Sequence, residues 1–395
     1  MKKIAIAAAV MLLGSSGAWA LGTDAGTIIE NNATLSFSAG GVAQPEVNAT
    51  IPAGQSSADS FVVDKKIDMV LVTTDTDQTD VTPGQTERIT SYTFKNEGNS
   101  AQNFKFTVAN LASGSATANQ ADYNTEADNE DVSNMVIEYR TSSSSSWQTM
   151  PANGILIAEN ATIEVRVKAD IPTAANGGAD GDVMNIELNA TAVDSSGNDV
   201  QETTTSDNPA VVDIVFADGM TVQNSATSDL GDSYPANDNH KGDTNRDGKE
   251  VARSGYRIKT PVLSAKKTSC VLSDPVNGDG TAAGTKPPKR IPGAIIRYMF
   301  DIDNTGTANA SDFNLTDALS SNLITTGTIA SARKAENQGA TACSCPTRLG
   351  TDIHADTSLS GQNMTIQHLN VAAGHATGTV VAHNHTCVSV EVEID

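Results

Sequence analysis

The feature that most constrains the fold of this chain is a pattern that occurs twice: Pro-Gly, an alternating apolar run, then Asn-x-Gly. The copies are PGQTERITSYTFKNEG at 83–98 and PGAIIRYMFDIDNTG at 292–306. Pro-Gly favours a turn, alternation at period two favours a strand, and Asn-x-Gly tolerates positive φ between two strands. The repeat therefore predicts one strand–turn–strand device in each of two tandem domains.

Short period-two runs separated by turn residues continue through most of the chain from residue 27. No stretch of ten residues beyond the N-terminus shows strong helical periodicity. In 103–111 the pattern places Phe104, Phe106 and Val108 on one face. In 89–96, Ile89 is out of phase with Phe94, which allows a bulge. Short strands with turn signals every 8–12 residues predict an all-β fold of sandwich type.

The N-terminus has the three parts of a secretory signal peptide. Lys2-Lys3 is basic, Ile4 to Leu13 is apolar, and Ala18-Trp19-Ala20 is a small-x-small cleavage site. The apolar run is too short to span a bilayer. We therefore expect residues 1–20 to be removed, and a mature chain with no membrane span, in a secreted, extracellular or outer-surface location.

The remainder divides by composition into four segments. Residues 21–62 are an N-terminal strand segment that either completes its own sheet or adds to a neighbour's. Residues 63–216 read as the first sandwich, 217–255 as an Asp-, Asn- and Gly-rich acidic linker or insertion, and 256–395 as the second sandwich. All four cysteines fall in the last segment.

The second copy carries further residues in a fixed order: Pro292-Gly293, Tyr298, Asn304-Thr305-Gly306 and Thr316-Asp317-Ala318-Leu319. Over residues 262–395 this order resembles the conserved-repeat domain of bacterial and archaeal surface proteins, the eleventh domain of unknown function. Residues 64–195 resemble it more distantly, because they lack the Thr-Asp-x-Leu step. The resemblance implies exported, immunoglobulin-like β-sandwiches in tandem, without catalysis, and it supplies no ligand.

The charge excludes whole classes of partner. The net charge is −22, and it becomes −24 when Lys2 and Lys3 leave with the signal. Such a chain repels nucleic acid and anionic lipid. No nucleophile elbow or phosphate loop is present in the sequence, and aromatic residues make up only 4% of it. These observations favour a non-catalytic protein over an enzyme with a large core.

One acidic stretch, DTNRDGKE, matches the opening half of a calcium loop. Oxygen ligands are expected from Asp243, Asn245, Asp247 and the backbone of Lys249, with Glu250 in place of the absent final Glu. The alternative is a solvated acidic turn. Calcium is the one cofactor that the sequence predicts.

The cysteines predict two disulfides, since an even number in an exported chain favours pairing. Cys343 and Cys345 are too close in sequence to pair easily. Two connectivities stay open, in which Cys270 bonds to either of them and Cys387 to the other. A rival interpretation places His383, His385 and Cys387 on one strand face as metal ligands.

The segment GTIIENNATLSFSAGG is the candidate for assembly, through Ile28, Ile29, Leu35 and Phe37. A terminal strand can pair with its own domain or with a neighbour's exposed edge. The first functional hypothesis is therefore a structural protein of a cell surface, matrix or filament, whose partners are copies of itself or other surface components. The alternative is a calcium-dependent adhesin or binding module.

Overall fold

The computed structural model describes residues 22–30, 33–48, 60–113, 121–123, 126–205, 208–218, 243–244, 246–284, 286–324, 331–336, 351–352, 357–360, 362–373, 375–377, 380–382 and 384–395. Within them the regular structure is strand, apart from one 3-10 turn at Ala174–Asn176. The all-β prediction is confirmed, whereas the immunoglobulin-like topology stays a prediction. The expected signal peptide lies outside the described residues. No described helix is long and apolar enough to cross a membrane.

The N-terminal segment folds back on itself as an arm of six short strands. These are β1 (Ile28–Glu30), β2 (Thr34–Leu35), β3 (Ser38–Ala39), β4 (Val42–Ala43), β5 (Val47–Asn48) and β6 (Ser60–Val62). They pair as β1 with β6, β2 with β5 and β3 with β4, all antiparallel. Gly40 and Gly41 both have positive φ, which suits the tight turn at the tip.

The first sandwich follows the arm. Its strands are β7 (Lys65–Ile67), β8 (Met69–Thr73), β9 (Thr79–Val81), β10 (Arg88–Asn96), β11 (Gln102–Asn110), β12 (Ser133–Arg140), β13 (Gln148–Thr149), β14 (Ile155–Ile157), β15 (Thr162–Asp170), β16 (Val183–Val193), β17 (Ile214–Phe216) and β18 (Lys249–Ile258). One sheet has the order β13-β12-β15-β10-β8 and the other β14-β11-β16-β18-β9. The short strands β7 and β17 form a separate parallel pair.

Period-two alternation supplies the core between these two sheets. Phe94 of β10 meets Phe104 and Phe106 of the opposite sheet, with ring centroids 4.7 and 5.1 Å apart. The bulge allowed for β10 is absent, because β10 pairs with β15 without a register shift. Ile89 is simply an apolar side chain that faces solvent.

The boundary between the two units lies further along the chain than the sequence predicted. Strand β18 pairs with β16 from Val183↔Arg257 to Thr191↔Lys249. It is therefore part of the first sandwich, so the acidic segment 217–255 ends inside a central strand. The second unit begins after Ile258 rather than at residue 256.

The second unit contains the remaining strands: β19 (Leu263–Ser273), β20 (Ile295–Asn304), β21 (Ala310–Ala318), β22 (Leu323–Ile324), β23 (Ser331–Glu336), β24 (Thr351–Asp352), β25 (Thr357–Ser360), β26 (Asn363–Val371), β27 (His375–Thr377), β28 (Val380–Ala382) and β29 (Asn384–Ile394). One sheet has the order β19-β20-β29-β23-β24, with β22 also paired to β29. The other is β21-β26-β25, and β27 pairs with β28. Apolar side chains of β20, β26 and β29 form the shared core.

The repeated Pro-Gly has the same role in both units. Gly84 and Gly293 have φ of 78° and 80°, a conformation that glycine adopts without strain. Their N–H groups donate to the carbonyl oxygens of Pro172 and Ile394, at 3.0 and 2.8 Å. Each turn therefore starts an internal strand, β10 or β20, and fastens its start to a distant part of the same unit.

The asparagine of the motif clamps the chain where it leaves one sheet for the other. Asn96 ends β10 and is 1% exposed. Its Nδ2 donates to the carbonyl oxygens of Ser100 and Ile157 at 3.0 and 3.1 Å, and its Oδ1 accepts from the Gly98 N–H at 3.1 Å. The side chain thus joins the turn to the end of β14.

Asn304 repeats this arrangement at the end of β20. Its Nδ2 donates to the carbonyl oxygens of Ala308 and Ala372 at 2.8 and 2.9 Å, and its Oδ1 accepts from the Gly306 N–H at 3.0 Å. None of the Asn and Gly residues of the two Asn-x-Gly turns has positive φ. The predicted reason for the motif was therefore wrong: buried side-chain hydrogen bonds explain it.

Candidate assembly site

The arm is a two-stranded ribbon with one apolar and one polar face. Leu35 pairs with Val47, and Ala39 pairs with Val42. Because alternate residues of a strand share a face, Phe37 lies on the same side as Leu35. We call Leu35, Phe37, Val42 and Val47 the apolar face of the arm.

This apolar face is open to solvent. Leu35 is 61% exposed, Phe37 47%, Val42 65% and Val47 51%. Covering these exposed portions would remove on the order of 400 Å² of apolar surface from water, worth about 10 kcal/mol before the cost of association. An isolated two-stranded hairpin is marginally stable in water. The arm therefore gains stability from any surface that covers this face.

The opposite face of the arm is polar. The Ser36 hydroxyl donates to Glu46 Oε1 across the ribbon at 3.1 Å. Residues 22–62 contain the acidic residues Asp24, Glu30, Glu46 and Asp59 and no Lys or Arg, which gives a net charge of −4. The arm is thus both amphipathic and acidic.

Hydrogen bonds fasten the base of the arm to the Asn-x-Gly turn of the first sandwich. The Asn99 side chain donates to the carbonyl oxygens of Thr23 and Asp64, at 3.2 and 2.8 Å. The Ala25 N–H donates to the Asn99 carbonyl at 3.0 Å. A defined base holds the arm at a fixed place on the sandwich.

The predicted assembly residues are therefore all on the arm, where the strands pair with each other rather than with a sheet of the sandwich. Pairing with a neighbouring copy stays a prediction. Ile28 pairs with Val62 and Ile29 with Phe61, near the base. Within the described residues the arm joins neither sandwich sheet. Ile28 and Phe61 are 62% and 48% exposed, so apolar exposure extends along the arm.

Val42, Val47 and Phe61 were missed as assembly residues. The signal that could have found them is the Gly40-Gly41 pair, which is typical of a hairpin turn. A turn there brings 42–48 back along 34–39, so the apolar residues of the second leg join those of the first. Sequence reasoning treated this pair as the end of a strand rather than as the tip of a hairpin.

The predicted calcium loop is only partly described, because Asn245 lies outside the described residues. No group of three or more His, Cys, Asp or Glu side chains that could hold a metal ion occurs in the part of the chain that the structure describes. Asp247 Oδ1 accepts from the Lys249 N–H at 3.0 Å. Glu250 is buried in β18, with its side chain on the core side of the sheet.

Asp218 is the residue that organises this loop, and no sequence pattern predicted it. It is fully buried, and its carboxylate accepts from the N–H groups of Asp247 and Gly248 at 3.1 Å. Burial raises the pKa of Asp218 to about 6, against the opposing effect of these hydrogen bonds. The loop therefore directs backbone N–H groups toward the Asp218 carboxylate, whereas a calcium loop directs oxygen ligands toward the ion.

Two of the four cysteines lie within the described residues. Cys270 is on β19 and Cys387 is on β29, while Cys343 and Cys345 lie outside the described residues, as does His383. Neither Cys270 nor Cys387 is a free thiol. His385 lies between two carboxylates on the same sheet face, with Nδ1 3.2 Å from Asp301 Oδ1.

Comparison with known proteins adds little to this geometry. No family model matches the chain, and no curated protein matches it. A solved structure from Corynebacterium diphtheriae, described as that of a membrane-anchored protein, is 12% identical over 92% of this chain and 89% of that one. Its TM-score is 0.15, so it carries no argument about fold or function.

Proposed function

We propose that this chain is an exported, non-catalytic structural protein of a cell surface, matrix or filament, which assembles through strand and domain contacts. The observation that carries the proposal is the exposed apolar face of the arm. Exposed apolar patches of this size on soluble proteins commonly mark interaction sites. Two further features favour a surface scaffold. The buried Asn of each Asn-x-Gly turn holds the same turn in both units, and the N-terminus has the pattern of a signal peptide.

The test compares the mature chain, residues 21–395, with a variant that makes the apolar face polar, Leu35→Ser/Phe37→Ser. A matched control, Leu156→Ser/Val211→Ser, removes two side chains that are 66% and 52% exposed outside the arm. Light scattering after size exclusion should show larger species for wild type and control and monomers for the arm variant. A wild-type chain that stays monomeric at high concentration would refute assembly.

A second proposal, calcium-dependent adhesion, rests on the Asp-x-Asn-x-Asp-Gly spacing of residues 243–248, in a loop whose backbone at Asp247 contacts the Asp218 carboxylate. Two carboxylates around one turn could share a hard cation. Calcium that binds only the folded state should then raise the melting temperature. Asp243→Ala/Asp247→Ala should abolish the rise, and an equal rise in that variant would remove the loop from consideration.

We also propose that Cys270 and Cys387 each form a disulfide with Cys343 or Cys345. Cys270 is opposite Arg297 and Cys387 is opposite Asp301, so they occupy the two strands that flank β20, four residues apart along it. Ordinary strand spacings put them about 16 Å apart, well beyond disulfide reach. Non-reducing peptide mapping that links Cys270 to Cys387 would contradict this pairing.

A further inference from the structure

The second unit presents a long sheet edge without a strand partner. Strand β19 pairs with β20 on one side, and in the described residues no strand pairs with its other side. It is eleven residues long, and its first five residues are all exposed. An exposed edge of this length offers backbone donors and acceptors to an incoming strand.

This edge is basic in a strongly acidic protein. Residues 263–290 contain five Lys or Arg and two Asp, a net charge of +3 in a chain of −22. Lys267 of this set is already paired with Asp317 at 2.6 Å. The other four form no ion pair in the described structure and are exposed: Lys266, Lys286, Lys289 and Arg290. We call these four residues the basic edge.

Two observations place Lys266 and Arg290 of the basic edge along β19 itself. Lys266 is a residue of the strand. The Arg290 guanidinium lies 3.5 Å from the carbonyl oxygen of Ser269, which is also on β19. Exposed apolar side chains occur at both ends of the strand, with Val262 46%, Leu263 43% and Val276 76% exposed. The edge therefore combines positive charge, exposed apolar side chains and a side of β19 that no described strand pairs with.

The arm has the complementary properties. It carries an apolar face, four acidic residues and no basic residue. Glu30 and Glu46 form no ion pair in the described structure, so their charges are available to a partner. The apolar face is solvent-exposed in the single chain. The arm thus leaves the β19 edge of its own molecule uncovered.

We propose that the basic edge along β19 is the acceptor surface for the acidic arm of a second copy of this chain. The inference rests on the proposed assembly function and specifies its second surface. The arm of one copy lies against the edge of the next, so the contact joins two different surfaces. A contact of this kind continues from copy to copy unless the rotation closes a ring.

Charge reversal on each side tests this directly. The edge variant is Lys266→Glu/Arg290→Glu, and the arm variant is Glu30→Lys/Glu46→Lys. A control, Lys105→Glu/Lys259→Glu, reverses two charges that lie outside the arm and the basic edge and that pair with two different exposed carboxylates. Self-association should weaken about tenfold in either variant, because complementary surface charges become like charges. The control should assemble as wild type does.

Mixing the two variants is the decisive step. The positive arm of the arm variant is complementary to the negative edge of the edge variant. The unaltered acidic arm of the edge variant is likewise complementary to the unaltered basic edge of the arm variant. The mixture should therefore regain wild-type association. An edge variant that assembles as well as wild type would overturn this inference while leaving assembly intact. Weakened variants that fail to recover on mixing would also overturn it. Far-ultraviolet circular dichroism establishes that each variant is folded.

Discussion

Removing the buried clamp of the first unit should destabilise that unit alone. In Asn96→Ala the carbonyl oxygens of Ser100 and Ile157 lose their donor, and the Gly98 N–H loses its acceptor. A buried polar group left without its partner costs about 1–3 kcal/mol, and the groups at one turn are not additive. We expect the free energy of unfolding of the first sandwich to fall by about 3 kcal/mol.

The chain provides its own reporter for this measurement. Of its two tryptophans, Trp19 lies in the predicted signal peptide, so we expect Trp147 to be unique in the mature protein. The guanidinium groups of Arg140 and Arg166 lie 4.6 and 4.2 Å from its ring centroid. Unfolding of the first sandwich separates these groups and should change the Trp147 fluorescence.

Urea unfolding followed by this fluorescence should show a midpoint lowered by about 1.5 M in Asn96→Ala, for an m-value of about 2 kcal/mol/M. The matched variant Asn304→Ala removes the same clamp from the second unit. Its Trp147 transition should stay at the wild-type midpoint, while circular dichroism records an earlier loss of β structure. An Asn96→Ala midpoint within 0.3 M (on the order of the error) of wild type would refute the clamp.

Three further predictions address other parts of the fold. Since burial raises the pKa of Asp218 to about 6, folding favours its protonated form, and the contribution of Asp218 to stability should rise by about 2 kcal/mol as the pH falls from 7 to about 4. Other buried carboxyls such as Asp128 titrate in the same range, so this contribution is the difference between wild type and Asp218→Asn. Asp218→Asn should lack this contribution. If denaturant titrations at pH 7 and about pH 4 give wild type and Asp218→Asn the same change in the free energy of unfolding, the reasoning is wrong. Gly98→Ala places a Cβ 2.5 Å from the carbonyl oxygen of Lys66 and should lower the melting temperature, whereas Gly22→Ala, which meets nothing within 4 Å, should not. Reduction with dithiothreitol should destabilise the second unit and leave the Trp147 transition in place, and a shifted Trp147 midpoint would contradict that assignment.

The elements that could be predicted are those in which apolar alternation and burial coincide. In β15 the residues Ile163, Val165 and Val167 are all buried, and the intervening Glu164 and Arg166 form ion pairs on the outer face. Here the pattern specifies both the strand and its inward face. The two Pro-Gly turns were likewise predictable, because only a glycine suits their φ.

Strand β18 could not be predicted, because its burial depends on partners elsewhere in the chain. Arg253 is 8% exposed and forms an ion pair with Glu187 at 2.7 Å. The hydroxyl of Ser254, fully buried, donates to Asp75 at 2.8 Å. These polar residues interrupt the apolar alternation, and nothing local shows that they are satisfied inside a sheet.

The assembly site lies between these two cases. Its first leg was predicted, from the alternation that ends in Leu35 and Phe37. The second leg was not, since pairing 42–48 with 34–39 requires a turn at Gly40-Gly41 rather than a strand end. The basic edge was also missed, because Arg290 lies far from Lys266 in sequence and reaches β19 only when the connection after that strand returns along it.

Electron microscopy of native cell-surface material, with an antibody raised against the mature chain, tests the central proposal most directly. Assembly through the arm and the basic edge predicts antibody label along a layer or filament of regular repeat. The same preparation from cells that produce the Leu35→Ser/Phe37→Ser chain should lack that repeat. Label confined to isolated particles, identical for the two chains, would contradict a structural role and favour a single-subunit binding module.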